Sequence, residues 1–454
     1  MEKGKVQRMI AGLLGGLMVF SLAGCGSGGG SADTESTDNA AAQTTPAASE
    51  EEQNSASEEA VKEITLWEIQ TEEPMREIFA DSIARFEADH PGYKINDVSM
   101  GSEDYKQKIA IALGSNTAPD IFVTWTGGGM KEYIEAGCIA DLTDYMNKDN
   151  YKDYFMDAAV AQTMEDGKLW AVPVENCSIA AIFYNKALFE KYNIAIPKTV
   201  EELESVCDAF LENGISPFAL PNKTKYFASM YYMYLVDRQA GPELFESAAN
   251  GGDRTFEDEV FTWADNKMQE WAQKGYFGEG YNGLDGETGI HRTMFYNEEC
   301  AMLLDGSWCV STFYNDQPDI LGDIGVFPFP AIEGGKGDPG NLVGTLGDTF
   351  YCISSEAEDK DICFEAIKYL IDDTAVQKRV AAGRIPPTKN ATAENEISEE
   401  LMKLLQEAKS IQLWYDQYLP SDAAEIHKDS LQALVGLSMT PEEYNKAMSD
   451  AVNK

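Results

Sequence analysis

Histidine is almost absent from this 454-residue sequence, which contains only His90, His291 and His427. None has a second histidine or a cysteine at the spacing of a metal site, so we expect no metal ion and interpret all three as solvated or core residues. The sequence also lacks a Gly-x-Ser-x-Gly elbow, a Walker loop and a dinucleotide-binding glycine fingerprint. We therefore predict no cofactor and no catalytic residues, and expect binding rather than catalysis.

Positive charge is scarce as well. The chain has 35 Lys and Arg against 77 Asp and Glu, for a formal net charge of −42. Such a protein repels phosphate groups, which argues against a nucleic acid or an anionic membrane surface as its partner. Its apolar fraction of 44% is ordinary for a globular protein. The length exceeds what one compact core accommodates and predicts two lobes plus tails.

Cysteine pairs are missing too. The seven cysteines after Cys25 are scattered, show no C-x-x-C spacing and are odd in number, so at least one is unpaired. We interpret them as buried structural thiols, and a Cys300–Cys309 bridge is the one pairing left open. The seven are Cys138, Cys177, Cys207, Cys300, Cys309, Cys352 and Cys363.

Long apolar runs are confined to the N-terminus, where a basic head precedes residues 9–22. This run is short for a membrane-spanning helix and suits a signal peptide. It leads into a Leu-Ala-Gly-Cys motif that ends at Cys25 and resembles the lipobox of bacterial lipoproteins; a chance cysteine after a signal peptide is the alternative. We predict a signal peptide over residues 1–24, lipidation of Cys25, and a disordered acidic tether over residues 25–60, rich in Gly, Ser, Thr and acid.

After residue 60 the apolar pattern alternates between strand and helix periods. Residues 63–67 alternate as a half-buried strand does, and apolar residues between Met75 and Phe86 recur at helical steps. Strand, helix, strand, helix, strand is the order of a parallel α/β sheet. The remaining predicted elements include strands at 93–98, 120–123, 180–184, 300–304 and 350–354, and helices at 105–113 and 362–370. Capping signals predict two further helix starts: a capping box at Thr199, and a cap followed by an N1 proline and two first-turn acids at Thr440.

Aromatic residues follow several of these predicted strands. In open α/β sheets, ligands bind beyond the carboxyl ends of the strands. Tryptophan at such positions offers a broad amphipathic plate for a sugar ring, while acidic residues at the rim bind hydroxyls; core packing is the alternative interpretation. Trp67, Trp125 and Trp308 follow predicted strands, and Trp414 and Tyr415 lie late in the chain, in a segment bounded by Pro420.

Six segments, taken in their order and spacing, resemble the family 1 extracellular solute-binding proteins of ABC importers, the maltose-binding-protein-like group. The segments are LGSNTAPDIF at 113–122, YIEAGCIADL at 133–142, GKLWAVP at 167–173, FYNKALF at 183–189, AMLLDGSW at 301–308 and GRIPP at 383–387. The resemblance implies a type II periplasmic-binding-protein-like α/β fold, in which two lobes joined by hinge segments close over a ligand. It implies an N-terminal lobe of residues 61–174 and 325–386, and a C-terminal lobe of residues 175–324 and 387–454.

Together, the aromatic pattern and the resemblance predict ligand binding by Trp67, Glu68, Glu72, Trp125, Glu175, Trp308, Trp414 and Tyr415. The implied function is capture of a small solute, in the first place a mono- or oligosaccharide, for ABC permease subunits on the extracytoplasmic face of the membrane. Few basic residues accompany the aromatic motifs, which favours a neutral ligand. The open alternatives are a secreted carbohydrate-active enzyme, a surface adhesin, and the same fold binding a cationic or peptide ligand.

Overall fold

The computed structural model describes residues 61–453. The predicted signal peptide, Cys25 and the whole predicted tether lie outside the described residues. The strands are β1 (Lys62–Glu68), β2 (Tyr93–Ser99), β3 (Ile121–Thr124), β4 (Met164–Glu165), β5 (Lys168–Leu169), β6 (Val172–Pro173), β7 (Ser178–Asn185), β8 (Ser216–Phe218), β9 (Cys300–Gly306), β10 (Ile324–Phe327), β11 (Leu342–Thr345), β12 (Phe350–Ile353) and β13 (Ile411–Gln412).

The helices alternate with these strands. They are α1 (Met75–Asp89), α2 (Ser102–Gly114), α3 (Gly128–Glu135), α4 (Thr143–Asn147), α5 (Asp157–Gln162), α6 (Lys186–Lys191), α7 (Val200–Glu212), α8 (Tyr226–Ala240), α9 (Glu243–Ala249), α10 (Glu259–Lys274), α11 (Ile290–Tyr296), α12 (Cys309–Asp316), α13 (Lys360–Leu370), α14 (Asp373–Ala381), α15 (Glu396–Glu407), α16 (Tyr415–Tyr418), α17 (Ser421–Val435) and α18 (Pro441–Val452).

The N-terminal lobe is built on a five-stranded sheet in the order β2-β1-β3-β12-β6. β1 runs parallel to β2 and β3, whereas β12 is antiparallel to β3. In β1, Ile64 and Leu66 are buried while Thr65 between them is half-exposed, which is the two-residue period of a strand. Helix α1 buries Phe79 and Phe86 in the same core. Because β1 and β3 are parallel, the chain leaves both at the same edge of the sheet.

The C-terminal lobe is built on a six-stranded sheet in the order β13-β11-β7-β9-β8, with β10 also paired to β7. β7 is antiparallel to β9, β10 and β11. Helix α8 is buried along almost its whole length, and α10, α17 and α18 pack with it in one large core. Two main sheets, each with helices packed against it, form the two-lobed α/β fold that the sequence predicts.

The structure corrects one predicted lobe boundary. Residues 325–345 were assigned to the N-terminal lobe, but β10 and β11 both pair with β7 of the other sheet. The backbone ladder aligns Val326 with Phe183 and Gly344 with Ile179, and this pairing ties the segment to the C-terminal lobe. The chain returns to the N-terminal lobe only between β11 and β12. The other crossings lie between β6 and β7 and just after α14.

The predicted capping signals differ in their outcome. At Thr440 the hydroxyl accepts the Glu443 N–H at 3.3 Å and the Glu443 carboxylate accepts the Thr440 N–H at 2.9 Å, so this capping box is complete. At Thr199 the hydroxyl accepts the Glu202 N–H at 3.2 Å, but the Glu202 carboxylate binds the Lys198 N–H instead. The helix begins where the sequence predicts, with only half of the box formed.

All seven cysteines in the described part of the chain are free thiols, so the Cys300–Cys309 bridge is not formed. Six are buried and Cys138 is half-buried, which agrees with the interpretation as structural thiols. Within residues 61–453 no helix has the length and apolarity that a membrane crossing requires.

One core residue couples stability to pH. Asp265 on α10 is fully buried, and burial raises its pKa from 3.8 to about 8, against the opposing effect of the nearby Tyr232 and Asn445 side chains. The folded protein therefore holds this proton more tightly than the unfolded chain does. The contribution of Asp265 to the free energy of unfolding is fully present below the unfolded pKa and is lost as the pH rises from about 4 to about 8.

We predict that Asp265→Asn, which has the same shape and stays neutral, removes this loss. At pH 8 the Tm of the variant should exceed that of the wild type by at least about 2 °C, the shift that ~1 kcal/mol produces in a large domain. At about pH 4 the two should differ less, because the folded wild type then holds its carboxyl proton and the carboxyl of the unfolded chain is only partly ionised. Scanning calorimetry at both pH values checks this; a difference independent of pH contradicts it.

Candidate functional site

A cavity of about 180 Å³ lies between the two lobes. The N-terminal lobe contributes the loop after β1, one face of α2 and Trp125, which follows β3. The C-terminal lobe contributes the start of α8, the start of α12, and Trp414, Asp416 and Gln417. Asp348 and Arg384 line it from the crossing segments. The cavity thus lies at the edge where β1 and β3 end, as expected for an open α/β sheet.

Four of the residues predicted from the sequence line this cavity together: Glu72, Trp125, Trp308 and Trp414. The rings of Trp308 and Trp414 are 5.8 Å apart between centroids and tilted by 53°. Tyr226, which the sequence analysis did not single out, meets the Trp308 ring edge-on at 6.3 Å. Trp125 comes from the opposite lobe, so indole rings from both lobes border one space.

Two of the other predicted residues are part of the N-terminal lobe interior. Glu68 is fully buried, accepts the Gln70 N–H and pairs with Arg76 at 2.9 Å. Burial raises the pKa of Glu68 to about 7, with a further contribution from Asp97. Trp67 packs half-buried against the core of the same lobe. Neither residue lines the cavity.

The last two predicted residues also lie away from the cavity lining. Tyr415 is buried in the C-terminal lobe and stacks on Phe245 with a centroid distance of 3.4 Å. Glu175 is buried in the first crossing segment, 3.8 Å from the guanidinium of Arg379. The sequence pattern places such residues near a strand end, but it does not predict whether their side chains face the cavity or the core of a lobe.

The position of Trp308 depends on a glycine. Gly306 ends β9, and a Cβ there would lie 2.2 Å from the Trp308 ring, closer than any real contact. Two hydrogen bonds also hold the backbone of Trp308. The Ser311 hydroxyl donates to the Trp308 carbonyl at 3.0 Å, and the Nε–H of Arg384 donates to the Ser311 hydroxyl oxygen at 2.7 Å. The Gly-Ser-Trp segment therefore lays the indole flat over the end of its own strand.

Ion pairs bridge the two lobes around the cavity. The pairs, each with one member on each lobe, are Glu72–Arg292 at 2.5 Å, Lys106–Asp416 at 3.1 Å and Glu103–Lys428 at 3.1 Å. Burial alone would lower the pKa of Lys106, but Asp416 and Glu103 raise it, so the ammonium stays charged. Thr312 of the C-terminal lobe adds a hydrogen bond to Glu72 at 3.2 Å.

The cations of the cavity were missed by the sequence analysis, which counted few basic residues near the aromatic motifs. Lys106, Arg292 and Arg384 all line the cavity. Arg384 lies in the GRIPP segment that carried part of the resemblance, so a signal for it existed; Lys106 and Arg292 carry none. Lys106 and Arg292 each pair with a carboxylate, whereas Arg384 lies in the field of Glu175 and Asp348. Burial raises the pKa of Asp348 to about 7, while Arg384 lowers it.

The lobes also approach through backbone at Gly127 and Gly128, at the start of α3. A Cβ on Gly128 would lie 2.2 Å from the carbonyl oxygen of Leu419, and one on Gly127 would lie 2.3 Å from that of Gln417. Both partners belong to the C-terminal lobe. Only glycine allows the two lobes to come this close. Among the described residues, no cluster of three or more His, Cys, Asp or Glu has the arrangement of a metal site.

The site and fold define a two-lobed α/β protein with a cavity between its lobes. The chain belongs to the bacterial extracellular solute-binding protein family, whose sequence model matches residues 69–377. This confirms the family and fold that the resemblance implied. The members of this family are binding proteins that work outside the cytoplasm.

Individual relatives extend over almost the whole chain. An uncharacterised ABC transporter extracellular-binding protein of Pyrococcus horikoshii is 25% identical over 465 aligned positions, covering 97% of this chain and 94% of the relative. A solved structure from a study of xylan utilisation by Caldanaerobius polysaccharolyticus has a TM-score of 0.80 and 31% identity, covering 86% of this chain and 99% of that one. A chitin oligosaccharide binding protein shares the fold, with a TM-score of 0.79, 24% identity, and coverage of 86% and 98%.

We predict that Gly306→Ala displaces the Trp308 ring and destabilises the protein by about 1–3 kcal/mol, the usual cost of overpacking. Near-UV circular dichroism should change and the Tm should fall. Gly322→Ala is the matched control in the same lobe, because a Cβ there meets nothing within 4 Å. Equal spectra and equal Tm values for the two variants contradict the role given to Gly306.

Proposed function

We propose that this protein is the substrate-binding lipoprotein of an ABC importer and that it captures a neutral sugar, a mono- or oligosaccharide, by closure of its two lobes. The observation that carries the proposal is the set of indole rings around one interlobe cavity: Trp125 from one lobe, Trp308 and Trp414 from the other. Aromatic plates bind the apolar faces of sugar rings, and polar groups at their rim fix the hydroxyls.

The charges of the cavity favour a neutral ligand. Lys106 is paired with Asp416 and Arg292 with Glu72, so an acidic ligand would have to displace a carboxylate from either cation. Glu287 and Asp348 add acceptors for hydroxyl groups to the lining. Burial raises the pKa of both carboxyls, and burial of a net charge in this space is costly.

The relatives support the same class of ligand and the same partner. One solved relative comes from work on xylan utilisation, another binds chitin oligosaccharides, and a full-length relative is named as an ABC transporter extracellular-binding protein. The permease subunits of an importer are therefore the proposed protein partner. The predicted signal peptide would direct export, and the lipid on Cys25 would then hold the protein at the outer face of the membrane.

Closure is the proposed mechanism. A ligand that contacts both lobes binds the closed state more tightly than the open one, and this difference drives the change. Micromolar capture needs about −8 kcal/mol, which a few ring stackings and several net hydrogen bonds of about 1 kcal/mol each supply. No covalent step is required. The absence of cleavage products after incubation with oligosaccharides would separate this function from that of a carbohydrate-active enzyme.

The first experiment is a thermal-shift screen of mono- and oligosaccharides, followed by calorimetry on those that stabilise the protein. We predict that Trp308→Ala weakens sugar binding at least about tenfold, the loss of ~1.4 kcal/mol of stacking and burial. Trp170→Ala is the control, because Trp170 is half-buried in the N-terminal lobe and lies away from the cavity. An unchanged affinity of the Trp308 variant removes this residue from the site.

We predict that Gly128→Ala impairs closure without harming the fold of either lobe. The added methyl group would meet the Leu419 carbonyl only when the lobes come together. Sugar should contract the wild type, measured as radius of gyration by small-angle X-ray scattering, and should contract this variant less, with at least about tenfold weaker binding. Gly114→Ala adds a methyl group to open space in the same lobe and should behave as the wild type. Full contraction of Gly128→Ala argues against this contact.

A further inference from the structure

A second cavity, of about 290 Å³, lies beside the first. Its walls come from both lobes: α2, the residues after β3 and α3 on one side, and residues 416–417 and α17 on the other. Lys106, Trp125, Asp416 and Gln417 line both cavities. The two spaces are therefore neighbours that share one wall, and this wall includes an indole ring.

Two buried polar side chains of the second cavity lack a partner among the described residues. Thr126 is 2% exposed and its hydroxyl forms no hydrogen bond there. Gln417 is 7% exposed, and its side-chain carbonyl oxygen accepts none from the described residues. Polar groups buried this deeply are normally paired, so both call for a hydrogen-bonding ligand. The free carbonyl oxygen of Gln417 requires a donor, which a hydroxyl group provides.

The charges around the second cavity define the chemistry further. Its lining has four acidic residues and two basic ones, and both cations are already paired across the lobes: Lys106 with Asp416, and Lys428 with Glu103. Asp422 and Glu425 complete the acidic set. Carboxylates accept hydrogen bonds from hydroxyls, whereas an anionic ligand would be repelled. The cavity suits a neutral, polyhydroxylated group.

We propose that the second cavity is a further sugar compartment and that the ligand is an oligosaccharide occupying both spaces. One end lies among Trp125, Trp308 and Trp414, and the other reaches Thr126 and Gln417. The Lys106–Asp416 pair borders the passage between them. This inference rests on the proposed sugar-binding function and adds chain length to it: a monosaccharide fills the first compartment only.

The test is calorimetry with oligomers of one to four units of xylose, glucose and N-acetylglucosamine. For the series that binds, the affinity of the wild type should rise at least about tenfold from the monomer to the longer oligomers. Ala110→Phe fills the second cavity from an exposed position of α2 and should remove this gain while leaving the monomer unaffected. Ile111→Phe, at a 71% exposed position of the same helix, is the matched control.

Thr126→Val keeps the side-chain volume and removes the hydroxyl, so it should weaken only the longer oligomers, by about threefold to tenfold. This variant separates a ligand contact from a steric effect of Ala110→Phe on closure. Equal losses for monomer and longer oligomers, or no loss in either variant, overturn the second compartment and leave the sugar-binding function intact. If the wild type binds no member of any series, both the proposed function and this inference fail.

Discussion

Glu72, on the loop after the first strand of one lobe, reaches Arg292 of the other, and the site depends on this kind of contact. The lobes have separate sheets and cores, and the space between them becomes a cavity only when they meet. Ion pairs at its rim and bare backbone at Gly127 and Gly128 allow that approach. The contacts favour the closed arrangement, but partly solvated ion pairs contribute little each, so a ligand can still decide the equilibrium.

The crossing segments connect this closure to the stacking surface. Arg384, in the last crossing, binds Ser311, and Ser311 binds the carbonyl of Trp308. Glu175 and Arg379 face each other in the same buried region. The charges of Glu175, in the first crossing, and of Arg384, in the last, both act on the carboxyl of Asp348. A movement of the hinge therefore acts on residues that touch the cavity. Buried charges of this kind cost stability, and their concentration at the hinge fits a role in positioning rather than in holding the fold together.

Most of the fold was predictable from the sequence because apolar periods of two and of three to four residues are local signals. The strand around Ile64 and the helix around Phe79 were found for this reason. The start of the last helix at Thr440 was found from another local signal, its capping residues. The lobe to which residues 325–345 belong could not be predicted in this way, because their pairing with the strand that contains Phe183 joins distant parts of the chain. In the site, Trp125 and Trp308 follow predicted strands, and Trp308 also ends the AMLLDGSW segment. Glu68 and Tyr415 lie beside such positions but face inward, and a helical lysine such as Lys106 has no local signature.

The free thiols give each lobe a chemical marker of its own. Cys352 and Cys363 lie in the core of the N-terminal lobe, and Cys207 and Cys300 in cores of the C-terminal lobe. Burial raises the pKa of Cys300 and Cys352, so the folded protein hides them from both solvent and ionisation. A thiol reagent would therefore modify these residues only as their own lobe unfolds. The order in which they react would reveal which half of the molecule loses its structure first, without any engineered probe.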